Sequence, residues 1–548
     1  MKTDRREFLR GCAAKERQTL TNATLRGKPD AGNPHVAPSQ CYGGTGRFEE
    51  REVAPAATPR RGARLYRTFF RLAVLCGAMA SELLAADFTI SGYCPSDDMA
   101  TQAFARTETN QTEKIQRAID DAFLSGGGTV TLGTGLHLVK GIRLRSCVRL
   151  HLAANAILCG SRNAADYDIL SRDRLEPFDP DAFPSVHEAP TKGFAAMMKP
   201  GARYNNAIIR IVNARDVSLT GDAGSVIDGA NSYDPHGESG FRGVHGISVS
   251  YSTNVLFSGY TLQHAGNWGH RIDHAVGVRC EHVTVLAGHD GFHVRHCDDV
   301  TVSDCRFHTG DDSIAGYDNL NVVVRRCDLS SACQAFRFGG TNVLIEECVA
   351  HGPCKYVFRG SIPPQAQRDG LWDPAVIPGR HSMAAFFVYF SSDRCPIRQP
   401  LGNIVVRNCR IENAARLLRY DFQDDGWQRG HPLTDICFTN VTAKGLQLPI
   451  AASAGPASCK SLVPLELSLV DCKLSFAQRQ TELVAGRNIG RLVLRNVDVQ
   501  GVDGPALRMW EGHADVMSAN VTGARIEQEP GTGKYRCLVR PLPSVQNK

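Results

Sequence analysis

Three aspartates have the type and spacing for acid–base chemistry. Asp290 lies in Gly288-His289-Asp290-Gly291, and Asp311 and Asp312 lie in Gly310-Asp311-Asp312-Ser313. Apolar residues set the register between the two segments. Phe292, Ile314, Phe336 and Phe358 recur at a step of 22 residues. In that register Asp290 and Asp312 share one column with Gln334 and Tyr356. His289 and Asp311 share the next with Cys333 and Lys355. Carboxylates held close together cannot all ionise, so one keeps a proton near neutral pH. Such a proton can pass to a leaving glycosidic oxygen while another carboxylate activates water. A third column holds His293, Ala315, Arg337 and Arg359. Arginines beside the aspartates can grip a sugar carboxylate by paired hydrogen bonds. His289, His293 and Gln334 complete the candidate substrate contacts.

These columns require a repeating scaffold. Short β-branched runs accompany the repeat: Val300–Val302, Val322–Val324, Val343–Ile345, Ile404–Val406 and Leu492–Leu494. Several short strands in 22 residues suit one coil of a parallel β-helix, whose coils bury their inward residues by stacking. A β-propeller needs a period of about 40 or more. Strand residues alternate sides. With Phe292 facing inward, His293, Arg337 and Arg359 face outward together with Asp311. Asp290 and Asp312 have inward parity. The glycines at 288, 291 and 310 allow a bend that turns them outward, which avoids burying unpaired carboxylates. Asp298, Asp299 and Asp318 read as turn residues.

Other segments frame the helix. Asn110-Gln111-Thr112-Glu113 reads as a capping box. Ile115, Ala118, Ile119, Ala122 and Phe123 follow at helical spacing, and Gly126-Gly127-Gly128 ends the run. This amphipathic helix is expected to cap the N-terminal end of the stack. Residues 361–385 are rich in proline and charge and read as a long loop over one face. Cys305, Cys327, Cys348, Cys409 and Cys472 each end a strand, which points to an interior column and not a disulfide framework. No C-x-x-C cluster is present, so no metal site is expected.

Charge separates the chain into two parts. The net charge of +6 comes from residues 1–86, which hold 15 basic and 8 acidic side chains. The rest is nearly neutral, which excludes a charge argument for nucleic acid. Thr3-Asp4-Arg5-Arg6-Glu7-Phe8-Leu9 has a twin-arginine look without an apolar stretch behind it. Arg60 to Arg67 followed by the apolar run Phe69–Ala80 makes a better export leader, with cleavage near Ala86. That run is too short to span a membrane. The reading is a secreted or periplasmic monomer without a cofactor. Its parts are a leader at 1–86, a β-helix at 87–510 and a C-terminal coil or cap at 511–548.

From Asn110 to Arg359 the chain resembles the polygalacturonase family of pectinases, glycoside hydrolase family 28. The stretch Thr112–Ser161 is similar to that family's N-terminal cap and first coils. Val226-Ile227-Asp228-Gly229 resembles its G-x-I-D-G turn. Trp268, in HAGNWGH, resembles the tryptophan before the catalytic coils. Asp290 matches the aspartate of N-T-D-G, and Asp311 and Asp312 match G-D-D. The resemblance implies an inverting hydrolase with Asp311 as general acid and Asp290 and Asp312 positioning water. The family's G-H-G falls near Ala332-Cys333-Gln334, which has no histidine. His289, His293 and His308 are candidates to replace it. The family's R-I-K falls near Phe358-Arg359-Gly360, which keeps one basic residue. A lyase or epimerase on the same fold would use Tyr356, Lys355 or an arginine. A non-catalytic carbohydrate-binding helix is the third possibility.

Overall fold

The structure is a computed structural model that describes residues 86–92, 110–167, 206–369, 379–391, 400–422, 428, 431–455, 463–512, 514–526 and 537–541. The leader lies outside them. Strand pairs among these residues run parallel and stack coil on coil in three ladders. One coil shows the plan. Phe292–Arg295 lies in the first ladder, Asp298–Ser303 in the second and Arg306–Thr309 in the third. The next coil repeats it with Ile314–Arg325, which bends through two ladders, and Asp328–Ser331.

The corners explain why the chain turns where it does. Between the first and second ladders Asp299, Asn321, Asn342 and Asn403 all have positive φ. Their side chains form a ladder: Asn321 donates to Asp299 at 3.0 Å, Asn342 to Asn321 at 3.1 Å and Asn403 to Asn342 at 2.9 Å. Asn and Asp tolerate this conformation because their short polar side chains bond locally. Asp299 is therefore the turn residue expected. Asp318 also turns with positive φ, and it is buried with Oδ2 2.7 Å from His296 Nδ1. At the next corner Asp304, Arg326, Glu347, Asn408 and Asp471 take positive φ, and each precedes one of the five strand-end cysteines. Those cysteines are buried and free. Each thiol donates to the carbonyl two residues back, at 3.2–3.3 Å.

The interior column begins as expected. Phe292, Ile314 and Phe336 pair in register and are buried. The fourth member is Phe387, not Phe358. After the third-ladder strand Val349–His351 the chain leaves the stack and returns only at Ala385–Tyr389. Phe358 lies in this excursion, before the short 3-10 turn Arg359–Ser361. Arg337 consequently pairs with Val388, and Arg359 does not stand one coil above it.

Helix α1, Thr112–Leu124, buries Ile115, Ala118, Ile119 and Ala122 against the first coils. Its cap differs from the expected box. Gln111 occupies the cap position, and Asn110 Oδ1 accepts from Thr112 N at 3.0 Å and Thr112 Oγ1 at 2.6 Å. One asparagine thus serves the first turn from one residue further out. At the other end the second ladder continues past residue 510. Ala514–Thr522 pairs with Ile489–Val502, and Cys537–Pro541 pairs with Ala514–Thr522. No helix among the described residues is long and apolar enough to cross a membrane.

Candidate active site

The three aspartates sit at the corner between the third and first ladders, in successive coils. Backbone bonds hold the coils close there: Gly269 N donates to Asp290 O at 2.8 Å and Gly291 N to Asp312 O at 2.9 Å. Gly310 is required by this approach, since a Cβ would lie 2.6 Å from both Gly288 O and Val357 O. Thr309 Oγ1 and Ser331 Oγ both donate to Asp311 O, at 2.9 and 2.5 Å, and fix the turn.

The carboxylates converge on arginines. Arg337 Nη2 donates to Asp290 Oδ2 at 3.4 Å, and its Nε donates to Asp312 Oδ2. Arg337 comes from the outward side of the first ladder, so Asp290 and Asp312 do reach outward from their inward parity. They are nevertheless buried, each 1% exposed. Pairing with one guanidinium removes the objection to that burial. Phe390 covers this arginine, with its ring centroid 4.4 Å from the guanidinium carbon. Asp311 keeps 15% of its side chain exposed and accepts from Arg242 Nη2 at 3.4 Å.

His293 Nδ1 lies 2.6 Å from Asp290 Oδ2. Trp268 stacks on the His293 ring at 3.8 Å and 7°. His289 is fully buried, with Nδ1 3.8 Å from Asp311 Oδ2 and its ring stacked on Phe241 at 5.8 Å. Burial holds both histidines well below their usual range, with Arg242 adding to the effect at His289 and Arg295 at His293. Gln334 is half-buried, and its backbone carbonyl accepts from Ser313 N at 3.0 Å.

Arg359 reaches the same corner by another route. It is buried and donates through Nη1 to Ala265 O at 3.2 Å and Gly266 O at 2.9 Å. Burial and nearby Arg242 push its pKa down to about 9. These bonds hold the backbone at Ala265 and Gly266. His308 faces away, on the outer side of the third ladder beside Asp328.

The repeat does not contain several members of the site. Phe241 and Arg242 lie in the insertion between the strands Val226–Asp228 and His245–Ser258. That insertion folds back through an antiparallel bridge between Tyr233 and Arg242, which brings the guanidinium under Asp311. Arg380, from the later excursion, donates to Cys333 Sγ. The usable signal was positional: both insertions occur at the corner that carries the aspartates.

Burial and neighbouring charges shift the three carboxyls in different directions. Burial raises the Asp290 pKa well above the usual range, and the charges of Asp311 and Asp312 add to it. Burial also raises Asp312, which Arg337 opposes and Asp311 supports, to about 6. At Asp311 burial is outweighed by His289 and Arg242, which hold it well below the ordinary value. Two arginines thus face three carboxylates, of which Asp290 and Asp312 are shifted up and Asp311 down.

A stability test follows for Asp312. Its folded pKa, about 6, exceeds the ordinary value near 3.9. The folded state therefore binds the proton more tightly. That stabilisation is complete below about pH 4 and is lost as pH rises through about 6. We expect wild type to lose roughly 2 kcal/mol relative to Asp312→Asn between pH 4 and pH 7, in denaturant titrations. The opposite shift at Asp311 acts only below about pH 4. A difference that stays constant across this range would remove the raised pKa.

Fold and corner together define a right-handed parallel β-helix with a buried, charge-balanced carboxylate site. Residues 207–353 match the family model described as "Right handed beta helix region". No curated protein matches the chain in sequence. Among solved structures it is similar to a family 28 exopolygalacturonase of Yersinia enterocolitica, at 12% identity and TM-score 0.46, covering 83% of this chain and 78% of that one. It is also similar to the A-module of an Azotobacter vinelandii mannuronan C-5 epimerase, at 13% and 0.49, covering 74% and 96%. A Streptococcus pneumoniae surface protein and adhesin is similar at 12% and 0.40, covering 79% and 96%.

Proposed function

We propose that the chain is a polysaccharide hydrolase acting by inversion, with Asp290 as proton donor and Asp311 as base. The observation that carries this reading is the charge balance at the corner. Three carboxylates share Arg337 and Arg242, an arrangement that favours one protonated and one ionised carboxyl within two coils. Asp290 gives its proton to the leaving glycosidic oxygen. Asp311 takes a proton from water, whose oxygen attacks the anomeric carbon from the opposite face. Asp312, fixed by Arg337, orients that water. Trp268 and His293, both buried, stack beside the acid and back its corner. The substrate is a pectin-like or other acidic polysaccharide, and the protein acts outside the cytoplasm as a monomer.

The test is digestion of a plant and algal polysaccharide panel by the purified protein. We expect new reducing ends without the absorbance of an unsaturated product. The first product anomer, read by NMR, should have the opposite configuration to the bond cleaved. An unsaturated product would make the protein a lyase. Binding without turnover on any glycan would make it a binding module.

A further inference from the structure

A second cluster lies on the outer face of the third ladder. His308, Asp328 and His351 come from three successive strands, Arg306–Thr309, Asp328–Ser331 and Val349–His351. His308 pairs in register with Ser330, whose hydroxyl donates to His351 O at 2.8 Å. The histidine backbones are therefore two coils apart, about 10 Å. Their ring centroids are only 5.3 Å apart, at 87°. Both side chains lean over the small Ser330 toward one carboxylate. His308 Nε2 lies 3.2 Å from Asp328 Oδ2, and His351 Nε2 lies 3.1 Å from Asp328 Oδ1.

These separations have a meaning for metal chemistry. Two donors each 2.0–2.1 Å from a tetrahedral zinc ion stand about 3.3 Å apart. The three donor atoms all lie within 4.8 Å of one another. Two imidazoles and one carboxylate form a common zinc ligand set that leaves a fourth position for water. Arg306 Nε donates to Asp328 Oδ2 at 2.9 Å and orients the carboxylate from outside, as outer partners of metal ligands do. The side chains are 20%, 34% and 38% exposed, so an ion can reach them. No sequence spacing announces the cluster, because each ligand comes from a different coil.

We propose that His308, Asp328 and His351 form a site for a zinc-class divalent ion that clamps three successive coils. The clamp ties Arg306–Thr309, the strand that leads into Asp311, to the two coils that follow it. It is independent of the hydrolase reading and is tested without activity.

The experiment uses untagged full-length protein stripped with a chelator. Zinc chloride is titrated by calorimetry, and cobalt chloride is followed by visible absorption. We expect saturation at one equivalent, a tetrahedral cobalt spectrum and a higher unfolding temperature with zinc. His351→Ala should lose all three while unfolding normally without metal. Asp328→Asn, which keeps the side-chain shape, should weaken binding as well. His282→Ala, at an exposed corner, should bind as wild type does. Absent binding, or unchanged zinc affinity in both His351→Ala and Asp328→Asn, overturns the proposal.

Discussion

Asp290→Asn should lower turnover of natural polysaccharide by about 10²–10⁴-fold with the fold intact, the usual worth of general acid catalysis. Asparagine keeps the shape and the neutrality of the protonated carboxyl but has no proton to give. An activated aryl glycoside needs less protonation of its leaving group, so its loss should be smaller. Asp311→Asn should impair both substrates, because water needs its base in either case. The comparison assigns the acid. If Asp311→Asn spares the activated substrate and Asp290→Asn does not, the proton donor is Asp311 and the charge argument fails.

Arg337→Ala is expected to have the largest effect on stability. It leaves Asp290 and Asp312 buried beside Asp311 without their shared guanidinium. Removing one partner of a buried ion pair costs about 3–5 kcal/mol. The loss should shrink toward pH 4, where Asp312, raised to about 6, becomes neutral as well. Adding Asp312→Asn to Arg337→Ala should recover part of it. Residues in one network couple, so the pair should depart from additivity. A loss below about 1 kcal/mol, or strict additivity, would mean that Arg337 does not balance these carboxylates.

Much of this scaffold was legible because a stacked coil writes its geometry into the sequence. Phe292, Ile314 and Phe336 face inward at a fixed step, and the turn residues at 299, 321 and 342 and the cysteines at 305, 327 and 348 keep nearly the same step. The register failed at Phe358 for a physical reason. The excursion after His351 places an aromatic and an arginine one period on, by coincidence, and residue type cannot distinguish a coil from a loop of similar length. Asp290, Asp311 and Asp312 were readable as a group since they lie within the regular coils. Arg242, Phe241 and Arg380 were not, because insertions have no column to belong to. The pairing of carboxylates with guanidiniums was not readable either, because Arg242 comes from outside the repeat.

The row of strand-end cysteines also bears on how the protein wears out. Each such coil presents one thiol in the same place, and neighbouring coils lie about 4.8 Å apart, within reach of a disulfide. While the stack is closed these thiols are buried and reduced. Once several coils open under oxidising conditions, any thiol can meet any other, and few of the resulting links permit the original stacking. Opening would then act as a one-way ratchet. The useful lifetime of the molecule would be set by how rarely its coils part, and not by the free energy regained on closing them.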